Sequence, residues 1–301
     1  MAATADARSY GKRLRRNEPM SRHTSWRVGG PADLWFRPQD RAELLEFMRD
    51  LERAVPLHVV GLGSNLLVRD AGVRGAVVSL QDAAAEFEFL EDGQIRVGAG
   101  VPCAIVARRC VRRRLGPAEF FAGIPGTIGG ALKMNAGAFG TETWERVHAV
   151  EVVDRAGQVR QRAAAEYQAS YRQVQGPAEE WFLGAVFEFA ENASTSEAVM
   201  RDLLAERRLR QPLGLPSCGS VFRNPEGDHA ARLIEAAGLK GHTLGGAEVS
   251  PKHANFIINT GSASAADIEA LIEHVRNTVR EASGVTLEPE VQIIGEGEPA
   301  A

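Results

Sequence analysis

Apolar residues in the first two thirds of the chain come mostly in short β-rich runs separated by glycine. Leu57–Val60, Ala76–Leu80, Ile95–Gly98 and Val150–Val153 are such runs, and their β-branched residues suit a pleated, half-buried surface. Trp181–Phe189, WFLGAVFEF, predicts a further strand. Two stretches keep a helical period instead. In Arg41–Arg53 the residues Leu44, Leu45, Met48 and Leu51 share a face, and Ile105–Val111 follows Pro102 as a buried helix. The pattern changes after Glu191–Ser196, ENASTS, which reads as a polar linker. Beyond it, Ser196 is placed to cap a helix whose face is Val199, Met200, Leu203 and Leu204. Ala230–Ala237 forms a short helix stopped by Gly238. Ser264 with Asp267 opens a helix carrying the stripe Ile268, Leu271, Ile272, Val275 and Val279. Thr286–Ile294 closes the pattern as an extended segment. The elements predict an α+β protein with a larger glycine-rich part and a smaller C-terminal domain.

Charge narrows the partners. Lys+Arg 35 against Asp+Glu 39 gives −4 over 301 residues, a mildly acidic balance that argues against nucleic acid as the partner. No run approaches the ~20 apolar residues of a membrane helix, so no membrane partner is expected. The first twenty residues carry Lys12, Arg13, Arg15 and Arg16 without an apolar stretch behind them; they read as a flexible basic tail and not as a secretory signal. Cys103, Cys110 and Cys218 cannot build a disulfide framework, and no C-x-x-C spacing or histidine cluster suggests a metal. Asn192-Ala193-Ser194 fits a glycosylation sequon, but nothing else points to export. A cytoplasmic protein is expected.

Candidate chemistry concentrates in two glycine loops. Gly61-Leu62-Gly63-Ser64-Asn65-Leu66-Leu67 directly follows a predicted strand. Gly123-Ile124-Pro125-Gly126-Thr127-Ile128-Gly129-Gly130 leads into Met134-Asn135-Ala136-Gly137-Ala138. Glycine lets the backbone approach an anion without a Cβ in the way, and successive N–H groups converge on it. A pyrophosphate is the natural occupant. GLGSNL lacks the third glycine of the dinucleotide fingerprint, and neither loop contains G-K-[ST], so neither an ordinary Rossmann site nor a P-loop fits. Tight turns in a β-rich domain are the plain alternative.

Seven segments in order carry a resemblance. They are SWRVGGPAD at Ser25–Asp33, GLGSNLLVRD at Gly61–Asp70, AGIPGTIGGALKMNAGAFG at Ala122–Gly140, Tyr171-Arg172, SCGSVFRNP at Ser217–Pro225, KHANFIIN at Lys252–Asn259 and LEPEV at Leu287–Val291. Together they resemble the UDP-N-acetylenolpyruvoylglucosamine reductase family over nearly the whole chain. The resemblance implies a vanillyl-alcohol-oxidase/PCMH-type FAD-binding domain in two subdomains plus a C-terminal α+β substrate domain. It divides the chain into a tail at 1–20, FAD-binding subdomains at 21–80 and 81–192, and a substrate-binding domain at 197–297. The implied reaction reduces the enolpyruvyl ether of UDP-N-acetylglucosamine to UDP-N-acetylmuramate, with FAD as cofactor and NADPH as electron donor, in peptidoglycan precursor synthesis. The partners are these small molecules, and the chain is expected to be a monomer or weak oligomer. The short step from Arg172 to Ser220, with no tyrosine between them, resembles the family's second type.

The resemblance also implies roles. An enol ether conjugated to a carboxylate accepts hydride at its terminal carbon, so the developing anion needs stabilising and the other carbon needs a proton. Arg172 matches the family's anion-stabilising arginine, Glu290 its catalytic glutamate and Ser220 its proton donor. Each has a plain alternative, respectively a strand-edge charge, a solvated strand residue and a turn hydroxyl. No GxSxG elbow makes Ser220 a hydrolase nucleophile, and Cys218 reads as packing. Cofactor contacts are implied at Gly61, Gly63, Ser64, Asn65 and Leu66, at Gly123, Ile124, Pro125, Gly126, Gly129 and Gly130, at Asn135, Ala136 and Gly137, and at Arg207. Arg207, like Arg210, is equally readable as a solvated helix end. Substrate contacts are implied at Asn224, Lys252, His253 and Asn255. Gln173-Val174-Gln175-Gly176 and Gln292 depart from the family pattern and bear on substrate positioning. Two rivals stand beside this reading: a flavin oxidase of the same superfamily acting on an alcohol or sugar, and a non-catalytic protein that binds flavin or nucleotide sugar.

Overall fold

Asp40 starts the helix Arg41–Asp50. Its carboxylate accepts from the Glu43 N–H at 2.9 Å, so the chain turns helical over Arg41–Asp50 and drives Leu44, Phe47 and Met48 into a core. In the computed structural model, which describes residues 10–297, the chain forms two units. The first comprises 10–16, Leu34–Gly61 and Gly75–Arg207; the second comprises Asn17–Asp33, Leu62–Arg74 and 208–297.

The first unit has two cores. In one, Phe36 stacks at 4.3 Å on Phe47, with Tyr10 edge-on to both. Most residues of a four-stranded sheet also lie in this unit, in the order Leu14–Pro19, Pro31–Phe36, Val73–Ser79, Leu57–Val60. The second core is built on a five-stranded antiparallel sheet, ordered Val159–Ala163, Val147–Asp154, Glu180–Glu188, Gln94–Gly98, Phe87–Phe89. The helix Cys103–Arg112 packs there through Cys103, Val106, Ala107, Cys110 and Val111.

Three expectations change in this unit. The basic stretch over 1–20 is not a loose tail where it is described. Tyr10 is buried, its hydroxyl bonds Asp50 at 3.0 Å, Arg13 pairs with Glu43 at 2.6 Å, and Leu14–Pro19 is a strand. Residues 1–9 lie outside the described residues. The polar linker is tied down too: Ala190–Glu191 pairs with Leu115–Gly116, and Thr195 is buried. The following helix, Glu197–Arg210, buries no side chain, and Val199 of its expected apolar face is exposed. Only Met200 of that face packs, partly buried, against the second core.

The second unit closes around Trp26, Phe222 and the stripe of the helix Ala265–Ser283. Ser264 and Asp267 form the expected capping box, and Gly284 stops the helix in the left-handed conformation at φ 75°. A small antiparallel sheet joins Thr243–Leu244, Ala247–Val249 and Ile257–Asn259. Of the extended closing segment only Gln292–Ile294 is strand, paired in parallel with Leu66–Val68. Residues 21–33 and 62–74, which a linear cut assigns to 21–80, are held here by side chains. The Trp26 indole donates to Ile257 O at 2.8 Å, the Asn259 amide donates to Trp26 O at 2.8 Å, and Leu67 is fully buried in this core.

Candidate active site

The first unit brings Gly61 against the second glycine loop. A Cβ on Gly61 would sit 2.5 Å from Thr127 Oγ1, too close for any side chain. Thr127 is buried and precedes the helix Ile128–Met134. The loop is fastened from behind: Ile128 and Gly129 donate to Val101 O and Ala99 O at 2.9 and 2.8 Å. Gly130 is exposed, and a Cβ there would meet nothing within 4 Å. The result is a wall of backbone with open space in front of it at Gly130, which suits the close approach of a pyrophosphate.

Directly after that helix, Asn135 takes a left-handed conformation at φ 42°. It was expected to touch a cofactor, but the structure spends its buried side chain internally. Nδ2 donates to Glu142 Oε2 at 2.7 Å and to Ser170 O at 3.0 Å, while Oδ1 accepts from Trp144 N at 3.0 Å. Arg172 is drawn to the same place. Its Nη1 donates to Asn135 O at 3.2 Å and to Glu142 Oε1 at 3.3 Å, and Nη2 donates to Gly137 O at 3.4 Å. The side chain is 16% exposed, and its guanidinium lies 4.8 Å from the Tyr171 ring centroid. Arg172 is therefore no strand-edge charge. Its backbone sits at φ 57°, which costs a non-glycine residue about 1–2 kcal/mol. Arg207, also in this unit, is half-buried, and burial lowers its pKa from the ordinary guanidinium value.

The second unit gathers Ser220 and Glu290. Glu290 N donates to Val221 O at 2.7 Å, so the residue next to Ser220 is bonded to the backbone of Glu290. Asn65 joins them: its side-chain amide donates to Glu290 O at 3.1 Å, and its backbone carbonyl accepts from Gln292 N at 3.0 Å. The Ser220 hydroxyl makes no hydrogen bond to another side chain or backbone group among the described residues. Cys218 is buried with its Sγ 3.7 Å from Gly63 O and 3.6 Å from Leu66 O, and burial pushes its thiol up to about 12. It packs the serine loop onto the first glycine loop and is no nucleophile. Gly63 itself, at φ 63°, lies where a Cβ would overlap the His23 carbonyl.

The expected substrate contacts fare differently. Asn255 is a correction. It is buried, accepts from Phe222 N at 2.9 Å and donates to Phe222 O at 2.8 Å, so it clamps the backbone two residues after Ser220 instead of facing a ligand. Asn224 accepts from Ala230 N at 3.1 Å at the start of the helix Ala230–Ala236. The Lys252 ammonium donates to Arg208 O at 2.6 Å. His253 is half-buried, with an Nδ1 that finds no partner, and burial lowers its pKa. Glu142, which sequence reasoning missed, is the acid at the centre of the first unit's cluster. The signal was an acidic residue at the far strand of the hairpin that follows the second glycine loop. No cluster of metal-ligating side chains occurs among the described residues, and no helix there is long and apolar enough to cross a membrane.

Comparison with known proteins bears on both units. A family model described as an FAD binding domain matches residues 32–162. A second, the C-terminal domain of UDP-N-acetylenolpyruvoylglucosamine reductase, matches 211–294. The UDP-N-acetylenolpyruvoylglucosamine reductase of Alkalilimnicola ehrlichii is 55% identical over 295 residues, covering 98% of this chain and 99% of the relative. That of Methylococcus capsulatus is 53% identical over 298 residues, 99% of this chain and 98% of its own. Among solved structures, the reductase from Thermus caldophilus superposes with a TM-score of 0.78 at 32% identity, over 93% of this chain and 99% of that one.

Proposed function

Since the chain belongs to the UDP-N-acetylenolpyruvoylglucosamine reductase family, we infer that it is an FAD-dependent oxidoreductase that converts the enolpyruvyl ether of UDP-N-acetylglucosamine to UDP-N-acetylmuramate with NADPH. The observation that carries this is the 55% identity spread over 98% of the chain. The product is a peptidoglycan precursor, and the cytoplasm, where nucleotide sugars and NADPH are available, is its place. Three buried, unpaired cysteines agree with a reducing compartment. The chain works as a monomer or weak oligomer on small molecules alone.

The residues fit a flavin nucleotide. In the first unit, Gly61 lies against the loop 123–130, whose Gly123, Gly126, Gly129 and Gly130 expose backbone, and Gly130 leaves open space; these residues would hold the pyrophosphate. Bound FAD supplies the hydride that NADPH has given it. Arg172 meets the negative charge that develops on the substrate carboxylate with a fork of donors that cannot lose its proton. In the second unit, Ser220 donates the proton to the remaining carbon; its hydroxyl has no internal acceptor among the described residues to hold it back. Glu290 serves the same intermediate as its catalytic glutamate, and the bond from its backbone to Val221 keeps it in the frame of the serine loop. Residues 34–61 and 75–192 act as the flavin-binding part and 208–297 as the substrate-binding part.

The test is an anaerobic absorbance trace. Protein loaded with FAD is bleached with NADPH, freed of excess nicotinamide and mixed with enolpyruvyl-UDP-N-acetylglucosamine. Return of the oxidised flavin spectrum without oxygen is the expected result. A flavin that bleaches and stays reduced would overturn the substrate, and protein that retains no flavin would overturn the enzyme.

A further inference from the structure

The hairpin after the second glycine loop fixes one acid in place. Gly137–Ala138 pairs with Thr141–Glu142, so that Glu142 lies directly opposite Gly137. The two residues between the strands, Phe139 and Gly140, both have positive φ, 54° and 82°, as the tightest hairpin turns require. Glu142 also heads a capping box with Glu145, its N–H donating to Glu145 Oε1 at 3.0 Å. Register and cap together leave its carboxylate little freedom. One oxygen accepts from buried Asn135 at 2.7 Å; the other faces Arg172 Nη1 at 3.3 Å. Arg172 is thus triangulated by a carboxylate and two backbone carbonyls, all on one short stretch of chain, 135–142.

We propose that Glu142 is the positioning residue for Arg172, and that it sets the plane of the guanidinium through which the reductase stabilises its anionic intermediate. The inference rests on the assignment of Arg172 to that task. A planar fork stabilises charge only when its donors point where the charge appears, and an arginine has several rotatable bonds to freeze first. Glu142 freezes them before substrate arrives. It also tempers the attraction of Arg172 for any anion, because part of the guanidinium's charge is already met. Its removal therefore has a two-sided signature. Turnover falls because the fork is no longer aimed. Binding of the carboxylate-bearing substrate holds steady or tightens, because an opposing charge has gone. A group that merely held the hairpin together would weaken both.

The experiment uses the FAD-loaded protein and a double-mutant cycle of E142Q and R172K. Glutamine keeps the size of glutamate and an oxygen for Asn135 but loses the charge. For E142Q, kcat is expected to fall about 10- to 100-fold. The Kd for enolpyruvyl-UDP-N-acetylglucosamine, titrated calorimetrically on the oxidised protein, should stay equal or fall. In the R172K background the same E142Q change should cost turnover little, since the pair acts as one unit. E142D, one methylene shorter, should recover part of the loss. Unchanged kcat in E142Q, a Kd that rises in step with the loss of kcat, or an equal loss in both backgrounds would overturn the inference alone. Full turnover in R172K would overturn the role of Arg172 and this inference with it, so the two failures are distinguishable. A melting curve of each variant guards against misfolding; if E142Q fails to fold, E142D read by the same kcat-against-Kd split decides the matter.

Discussion

The two units hold their candidate groups by opposite means. In the first, a charged fork is fixed by a carboxylate: Arg172 by Glu142, with the backbone at Asn135 and Gly137 completing the grip. In the second, neutral amides do the holding: Asn65 on Glu290, Asn255 on Phe222, and Asn259 on Trp26. Glu142 is 29% exposed, whereas Asn255 and Asn259 are buried. The difference teaches where fragility lies. A partly exposed ion pair contributes little to folding, because water screens it and two side chains must be ordered. A buried amide that satisfies both polar groups of one residue leaves both unpaired when it goes. The first unit should be easy to disable without unfolding it, and the second hard to alter without unfolding it.

The largest expected effect tests the amide side. Asn255→Ala leaves the N–H and the carbonyl of Phe222 without partners inside the core, at about 1–3 kcal/mol each. A urea titration of the flavin-free protein should show a loss of roughly 3 kcal/mol or more; a change under about 0.5 kcal/mol would break the comparison. Next comes the glycine wall. Gly61→Ala puts a Cβ against Thr127 Oγ1, an overpacking worth about 1–3 kcal/mol, and should weaken FAD retention measured by ultrafiltration. Removing the obstacle in Gly61→Ala/Thr127→Ala should restore part of it, whereas Thr127→Ser, which keeps the oxygen, should not. The smallest effect is one the units share. Burial lowers the pKa of His58 in the first unit and of His253 in the second. The unfolded chain therefore binds more protons than the folded one, so stability is intact above pH ~6.5 and declines as pH falls below it, by at most about 1.4 kcal/mol per pH unit and group. His253→Gln and His58→Gln should each flatten the urea midpoint between pH 7 and 5.5, and a slope unchanged from that of the parent would remove that histidine from the account.

The legible part of the site is the part written in local sequence. Both glycine loops announce themselves by composition, and the ordered motifs bring Arg172, Ser220 and Glu290 to notice. The illegible part depends on partners chosen in three dimensions. Asn255 reads like a ligand contact because nothing in KHANF says that its amide is spent on a residue 33 positions away. Glu142 was hidden by a turn whose first central residue is phenylalanine, a poor signal for a positive φ. The basic stretch looked solvated because its anchors, Tyr10 and Leu14, are too sparse to make a period, although both are buried. Elements with a strong repeat, such as Ala265–Ser283 with its capping box, came out where the pattern placed them. The helix Glu197–Arg210 shows that a repeat can exist with little of it received by a core, Met200 being the residue of its face that packs.

The parallel pairing of Leu66–Val68 with Gln292–Ile294 has a consequence for biosynthesis. Asn65 and Glu290, bonded beside that pairing, are 225 positions apart. On the ribosome, the early strand and Trp26 must wait, unpaired and apolar, for nearly the whole chain to be made before their partners emerge. Long-range parallel pairing of this kind is slow and leaves surface open to aggregation meanwhile. A premature stop even a few codons short of Gln292 would therefore leave Leu66–Val68 without its partner strand.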